Sequence, residues 1–200
     1  MKQSETISRV MAALENLRDG SSDFDLNPEV TLTEGRVLRP AAVLIALQEI
    51  DQRMHVILTQ RASHLKHHAG QIAFPGGKRD EGDSNIEQTA LREAHEEIGL
   101  LPDNVDILGV MPVHETVTRF TVTPVVGMIR DAYSPKLHLG EVVEAFSVPL
   151  SYVTDIAQFS IQSRRWRGQR RYYYAVPYGP YYIWGATARI LRALAEGMRV

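Results

Sequence analysis

The chain has 200 residues, 44% of them hydrophobic and 23% charged, with a formal net charge of -2 at pH 7. These values suit one globular domain with a buried core, and the charge gives no bulk attraction to nucleic acid or to an anionic membrane. The absence of cysteine excludes disulfides, thiolate metal sites and a thiol nucleophile. No apolar run approaches a membrane span and no presequence is evident, so we expect a soluble cytoplasmic protein.

The N-terminal part of the chain predicts one helix followed by a strand hairpin. Apolar residues recur at helical spacing over residues 5–18, and Gly20 follows as a stop signal. Residues 21–40 have no regular pattern. Apolar runs at 41–47 and 54–61 predict two strands, and the polar stretch between them predicts the connecting turn.

A basic stretch follows the second strand and contains Arg61, Lys66 and three histidines, His64, His67 and His68. Such a loop can offer cations and hydrogen-bond donors to phosphate groups, and it can equally be a solvated polar loop. The histidines alone do not indicate zinc, because catalytic zinc needs a regular ligand set and the obvious metal ligands nearby are carboxylates.

Residues 70–100 hold the most informative pattern, a glycine-rich turn that leads into a short helix. Ser84 and Glu87 have the spacing of a capping box, which predicts that the helix begins there. Gly99 is placed to end the helix in the left-handed conformation.

This helix carries three carboxylates, Glu93, Glu96 and Glu97, that share one face because they lie three and four residues apart. A solvated acidic face is the commonest interpretation of such a pattern. A metal site is favoured here for two reasons. First, the carboxylates lie near the negative end of the helix dipole, where anions are disfavoured unless a cation balances them. Second, the preceding Phe-Pro-Gly-Gly turn lets the backbone approach a ligand or metal closely. Mg²⁺ typically binds one or two carboxylates together with substrate phosphates.

The C-terminal half predicts further strands and a last helix. The predicted elements are three strands, a short helix and a long helix, at residues 105–113, 121–130, 141–150, 151–157 and 186–198 respectively. Pro124 indicates an edge, a strand start or a bulge in the second strand. Together with the earlier elements, these segments predict an α+β domain.

Five arginines lie between residues 163 and 171 with Trp166 among them, and a tyrosine-rich hairpin is predicted at 172–182. The arginines fit a hairpin loop without a ligand. They equally fit a local site that stacks an adenine ring and neutralises a nucleotide phosphate.

At residues 92–100, Arg-Glu-Ala-His-Glu-Glu-Ile-Gly-Leu, the sequence resembles the Nudix box of the Nudix hydrolases, G-x5-E-x7-R-E-U-x-E-E-x-G-U with U aliphatic. The second half of the box matches without a gap. In the first half, counted from Gly77, the acidic position is Asp83, and eight residues rather than seven separate it from Arg92.

The segment upstream of the box resembles the signature of the subfamily that hydrolyses coenzyme A, L-L-T-x-R-[SA]-x3-R-x3-G-x3-F-P-G-G. Residues 57–62 open this pattern, and Gly70 with residues 74–77 closes it. Ile57 replaces a leucine, and Lys66 replaces the internal arginine, which keeps the charge but loses the planar fork that binds phosphate through two hydrogen bonds. Residues 183–188 also reproduce the Ile-Trp-Gly-Ala-Thr-Ala segment typical of this subfamily.

The resemblance implies a Nudix α/β/α sandwich with a mixed β-sheet and a loop-helix-loop catalytic motif. It covers about residues 36–195, which predicts an N-terminal helix and linker at 1–35 and a Nudix hydrolase domain at 36–200. The N-terminal helix is then an accessory element or part of a homodimer contact.

The resemblance also implies a pyrophosphohydrolase that uses Mg²⁺ or Mn²⁺ and cleaves coenzyme A into 3′,5′-ADP and 4′-phosphopantetheine. Glu93 and Glu97 are the expected main metal ligands, assisted by Glu96 and the Gly77 carbonyl. One of these glutamates, or a later acid such as Glu141 or Glu144, would orient or deprotonate the attacking water.

The remaining predicted site residues support the loop and the substrate. Arg92 is expected to brace the catalytic loop by pairing with a box acid such as Asp83. Arg61 and Lys66 are the candidates for contacts with substrate phosphates, next to the glycine turn at Gly76 and Gly77.

Three alternatives stay open. A Nudix hydrolase of other specificity would act on ADP-ribose, NADH or dinucleoside polyphosphates. The signature at residues 57–77 argues against this alternative, because it is the feature that resembles the coenzyme A subfamily. A non-catalytic sensor of the same fold usually loses box glutamates, and all three are present here. An RNA-binding or decapping protein would use the arginines at 163–171. We expect a small-molecule substrate and neither a nucleic-acid nor a membrane partner.

Overall fold

The computed structural model describes residues 3–32, 35–65, 68–166 and 168–199. Four helices, α1 to α4 in chain order, lie at Gln3–Asn16, Ile86–Ile98, Leu150–Val153 and Ala186–Gly197 within these residues. Single 3-10 turns occur at Pro102–Asn104 and Ile156–Gln158. In this described part of the chain, no helix combines the length and apolar character needed to cross a membrane.

The described strands are numbered β1 to β11 in chain order and lie at Ser21–Ser22, Arg39–Ile50, Arg53–Arg61, Ile72–Ala73, Gly76–Lys78, Val105–Val110, His114–Glu115, Phe120–Ile129, Val142–Pro149, Ser160–Trp166 and Gln169–Ala175. Strands β1 to β9 form one mixed sheet, in which β2 runs parallel to β8 and antiparallel to β3. On its other side β3 pairs with β9, and β10 and β11 form a separate antiparallel hairpin.

The predicted hairpin at the start of the sheet is confirmed, with longer strands than the apolar runs indicated. Asp51 and Gln52 form the turn between β2 and β3 and have φ angles of 48° and 60°. Positive φ at both central residues is the requirement of the type I′ turn, whose twist matches that of the flanking strands.

Helices cover both faces of the sheet. On one face, Ala90, Ala94 and Ile98 of α2 pack in a cluster that includes Leu44 of β2. The next residue along β2, Ile45, points to the opposite face because side chains alternate along a strand, and it packs there in the cluster that contains α1, α3 and α4 residues. The predicted α/β/α sandwich with a mixed sheet is therefore confirmed.

The N-terminal helix contributes to this core. Val10 and Ala13 of α1 are 0% and 1% exposed and belong to the cluster on the α4 face. The helix ends at Asn16, four residues before Gly20. The division into segments 1–35 and 36–200 stays a prediction about domain organisation.

The sequence indicated an edge, a strand start or a bulge at Pro124, and the structure excludes the first two. Pro124 is neither at an edge nor at a strand start, because it lies within β8 opposite Val43. It falls between Val122, where β7 pairs, and Val125, where β6 pairs, so its missing N–H coincides with a gap in the ladder.

The chain does fold back within the predicted tyrosine-rich hairpin, because Tyr178 bridges Tyr181 and Ala175 bridges Trp184 in antiparallel pairs. A further hairpin that the sequence did not indicate precedes it. The arginine-rich segment forms its first strand, so that Arg164 lies opposite Arg171 and Arg165 opposite Arg170. Arginine runs lack the apolar alternation that predicts a strand, and the pairing is visible only in the fold.

Candidate active site

Helix α2 presents the box carboxylates and begins one residue later than predicted. Asn85 is the N-cap, and its side-chain oxygen accepts a hydrogen bond of 2.8 Å from the Gln88 backbone N–H. Ser84, the expected cap, instead donates its backbone N–H and its hydroxyl to the Gln88 side chain. At the other end Gly99 has φ of 70° and its N–H donates to the His95 carbonyl, which confirms the predicted C-cap.

Arg92 braces the loop before α2, as the sequence indicated. Its Nε and Nη2 each lie 3.0 Å from one oxygen of Asp83, and Nη2 also donates to the Lys78 carbonyl. The Asp83 side chain is 3% exposed and accepts two further hydrogen bonds, from the Asp80 N–H and the Thr89 hydroxyl. The Arg92 hydrogen bond is the main cause that holds the pKa of Asp83 far below its usual range.

Glu97 is the most buried of the three glutamates, with 2% of its side chain exposed. Its Oε1 lies 3.3 Å from Arg61 Nη1, and its Oε2 accepts the Gly76 N–H at 3.3 Å. Burial raises the pKa of Glu97 to about 7, although the Arg61 charge and the Gly76 hydrogen bond act in the opposite direction. A carboxylate kept buried with so little compensation is typical of a functional site.

Glu93 lies one helical turn before Glu97, and Glu96 is the residue directly before Glu97. The Glu93 side chain is 14% exposed, and its carboxylate packs so closely on Gly77 that a Cβ there would approach it to 2.5 Å. Burial raises the pKa of Glu93 above its ordinary value. Glu96 is 56% exposed, and Arg92 Nη1 contacts both glutamates at 3.0 and 3.2 Å.

The two later acids differ in position. The negative charge of Glu141 contributes to the raised pKa of both Glu93 and Glu97, so Glu141 belongs to the same electrostatic cluster. Glu144 accepts the Tyr181 hydroxyl at 2.6 Å and pairs in register with Gln60, on the face of the sheet opposite α2. Of the two acids, Glu141 is therefore the one that interacts with the box glutamates.

The donor set fits a hard divalent cation. It consists of carboxylate oxygens at a glycine turn, with Glu97 buried, Glu93 partly buried, and the pKa values of both raised by desolvation. In the described residues, no three aspartate, glutamate or histidine side chains are already arranged to hold an ion. Arg61 and Arg92 occupy several carboxylate oxygens, so a bound ion would replace part of these contacts.

Several site features were not visible in the sequence. The contact of Arg61 with Glu97 joins residues 36 positions apart, and the Gly76 N–H contact with the same carboxylate depends on how the turn packs. His64, one of the three histidines considered for zinc, lies near the Gly140 carbonyl. Lys66 and His67 lie outside the described residues, as does Arg167 in the arginine-rich segment.

Comparison with known proteins identifies the family. The NUDIX domain model matches residues 38–166. A protein of Enterobacter sp. (strain 638) named uncharacterized Nudix hydrolase NudL is 43% identical over 161 residues, which cover 78% of this chain and 81% of the relative. A relative of the same name from Salmonella heidelberg (strain SL476) is 41% identical over 170 residues, which cover 85% and 88%.

The fold is also found among solved structures. The crystal structure of the M. smegmatis Nudix hydrolase RenU is 23% identical and superposes with a TM-score of 0.50, covering 62% of this chain and 84% of that chain. The chain therefore belongs to the Nudix hydrolases, and it is a pyrophosphatase similar to the relatives named NudL.

Proposed function

We propose that this chain is a metal-dependent pyrophosphohydrolase that cleaves coenzyme A and its derivatives into 3′,5′-ADP and 4′-phosphopantetheine. The supporting observation is the contact between two motifs. Arg61 comes from the segment that resembles the coenzyme A signature, and its Nη1 lies 3.3 Å from Oε1 of Glu97 in the box. The segment associated with substrate choice thus adjoins the carboxylates associated with catalysis.

We assign Glu93 and Glu97 as the main ligands of Mg²⁺ or Mn²⁺, assisted by Glu96 and the Gly77 carbonyl. This assignment is supported by the burial of Glu97 and by the close packing of the partly buried Glu93 carboxylate on Gly77. A bound divalent ion supplies positive charge that neutralises a diphosphate and lowers the pKa of water.

The protein's own residues orient the reaction in this proposal. Glu141 lies close enough to influence both buried glutamates and is our candidate for holding the proton of the attacking water. Arg61 is our candidate for a substrate phosphate contact, because its side chain is 25% exposed beside the Glu97 carboxylate and can present its guanidinium to an anion there. Arg92 holds the loop through Asp83, while Lys66 stays a predicted phosphate contact.

The wider setting is part of the same proposal. We infer a cytoplasmic protein that acts on a small nucleotide-linked molecule and binds neither nucleic acid nor a membrane. The homodimer and the boundary between residues 35 and 36 remain predictions, and the oligomeric state is measurable by sedimentation.

The substrate is tested by incubating the purified protein with coenzyme A, ADP-ribose and NADH, each with Mg²⁺, with Mn²⁺ and with a chelator. We expect metal-dependent release of 3′,5′-ADP from coenzyme A, faster than cleavage of the other two. Cleavage of ADP-ribose or NADH alone would contradict the substrate assignment and keep the reaction class. Cleavage of none of them would contradict the proposed activity and favour a ligand sensor.

A further inference from the structure

A cleft of about 730 Å³ lies beside the box, on the opposite face of the sheet. This volume falls in the range of small-molecule sites. Its lining combines polar groups with aromatic rings, and the side chains used below are Gln60, Glu144, Arg164, Tyr181, Tyr182 and Trp184.

One wall of the cleft pairs a cation with flat rings. The Arg164 guanidinium lies over the Trp184 ring, 4.3 Å from its centroid, and forms no ion pair with a carboxylate in the described part of the chain. The Tyr173 ring packs against the Trp184 ring, and their centroids are 5.0 Å apart. A planar guanidinium can stack through its face and still donate N–H groups from its edge, so Arg164 is available to an anion.

A second ring is open to a ligand. Tyr182 is 45% exposed, and its centroid lies 6.5 Å from that of Trp184 with an angle of 31° between the rings. A large aromatic side chain exposed at the wall of a cleft offers a stacking surface to a nucleobase. The cleft thus provides separate places for a flat heterocycle and for a phosphate.

The floor of the cleft carries side chains that can form hydrogen bonds with a ligand. Gln60 carries an amide that both donates and accepts, and Glu144 is held by the Tyr181 hydroxyl at 2.6 Å. The Tyr181 ring itself stacks on Phe146 with centroids 3.5 Å apart, which fixes this hydroxyl. An adenine amino group matches acceptors of this kind, whereas a phosphate is repelled by Glu144 and attracted to Arg164.

The cleft and the box meet at the end of β3. Gln60 lines the cleft and the next residue, Arg61, contacts Glu97 on the other face of the sheet. Gly70 and Gln71 also line the cleft, and they precede the glycine turn at Gly76 in the same connection between β3 and α2. A ligand bound at the box can therefore extend around this strand end into the cleft.

We propose that the cleft binds the nucleotide half of the substrate, with the adenine on Tyr182 and the ribose 3′-phosphate on Arg164. This assignment rests on the proposed hydrolysis of coenzyme A, since that substrate carries a phosphate on the ribose in addition to its diphosphate. It makes Arg164 the residue that distinguishes coenzyme A from nucleotides without the extra phosphate.

The binding experiment uses calorimetry on the full chain in chelator, with 3′,5′-ADP and 5′-AMP as probes. The variant is Arg164→Ala, and the control is Arg165→Ala, the next residue of the same strand, whose side chain points to the other face of the hairpin. Both residues are exposed, so both variants should fold. Arg164→Ala should weaken 3′,5′-ADP binding by roughly tenfold or more, the loss of one hydrogen bond to a charged group, and leave 5′-AMP unchanged.

A kinetic experiment compares coenzyme A with dephospho-coenzyme A, which lacks the 3′-phosphate. Arg164→Ala should raise KM for coenzyme A with kcat retained, and should not change KM for dephospho-coenzyme A. Equal losses in Arg164→Ala and Arg165→Ala, or equal losses for the two probes, would overturn the assignment. Selective loss of 3′,5′-ADP binding in a protein that does not cleave coenzyme A would support the cleft and contradict only the proposed function.

Discussion

The ion pair between Arg92 and Asp83 should be a main source of stability in the catalytic loop. Arg92→Ala removes two hydrogen bonds of 3.0 Å from Asp83, whose side chain is 3% exposed, and leaves those from Asp80 and Thr89. Removing one partner of a buried pair costs about 3–5 kcal/mol, and because Arg92 is itself partly exposed we expect about 3 kcal/mol. With a urea m-value near 2 kcal/mol/M, the unfolding midpoint would fall by about 1.5 M.

The matched control is Arg130→Ala. Arg130 also contacts an aspartate through two nitrogens, but it and Asp106 are each 52% exposed. Solvent and salt screen such a pair, so the loss in the free energy of unfolding should be much smaller. The assay is urea unfolding in chelator, followed by circular dichroism. Equal midpoints for Arg92→Ala and Arg130→Ala would refute the reasoning.

The same pair predicts a pH dependence. The pKa of Asp83 is lowered in the folded state from an ordinary value of 3.8, chiefly by the hydrogen bond from Arg92. A lowered pKa means that the pair stabilises the fold above pH 3.8 and that this stability is lost as pH falls further toward the folded value. The part of the wild-type advantage over Arg92→Ala that comes from Asp83 should therefore shrink as pH falls below 3.8. An unchanged difference at pH 3 would contradict this.

Two further substitutions test the site itself. Gly77→Ala places a Cβ 2.5 Å from the Glu93 carboxylate. Because that carboxylate can rotate away, we expect little change in stability but roughly a hundredfold lower kcat. The control Gly82→Ala, with no atom within 4 Å of its added Cβ, should keep full activity. Equal kcat in the two glycine variants would argue against a role for Glu93. Arg61→Ala should raise KM for coenzyme A, because the exposed part of the Arg61 guanidinium is the proposed phosphate contact, and an unchanged KM would remove Arg61 from the substrate contacts.

Local patterns predicted the local parts of the site. The spacing of Glu93 and Glu97, the left-handed Gly99 and the pairing of Arg92 with Asp83 all lie within one loop and helix, where sequence separation fixes geometry. The N-cap was wrong by one residue because Ser84 and Asn85 are both good caps, and the choice between them depends on how the loop closes around Asp83.

Long-range parts of the site could not be predicted in this way. Gln60, Glu144 and Trp184 meet in one cleft although they are far apart in the chain, because β9 pairs with β3 and residue 184 bridges to Ala175 at the end of β11. The arginines at 164 and 165 gave no strand signal, since their pairing with β11 is set by the partner strand rather than by apolar alternation.

The central claim is that the buried box carboxylates carry the hydrolysis, and turnover of Glu97→Gln tests it most directly. Glutamine preserves the size of the side chain and an acceptor for the Gly76 N–H, so the circular dichroism spectrum should not change. The control is Glu87→Gln in the first turn of α2, which lies outside the proposed site. With Mg²⁺ and coenzyme A, we predict that kcat of Glu97→Gln falls by more than roughly a hundredfold. This loss exceeds the usual one for residues that only support a metal ligand. The kcat of Glu87→Gln should not change. A folded Glu97→Gln enzyme with near-normal kcat would contradict the account.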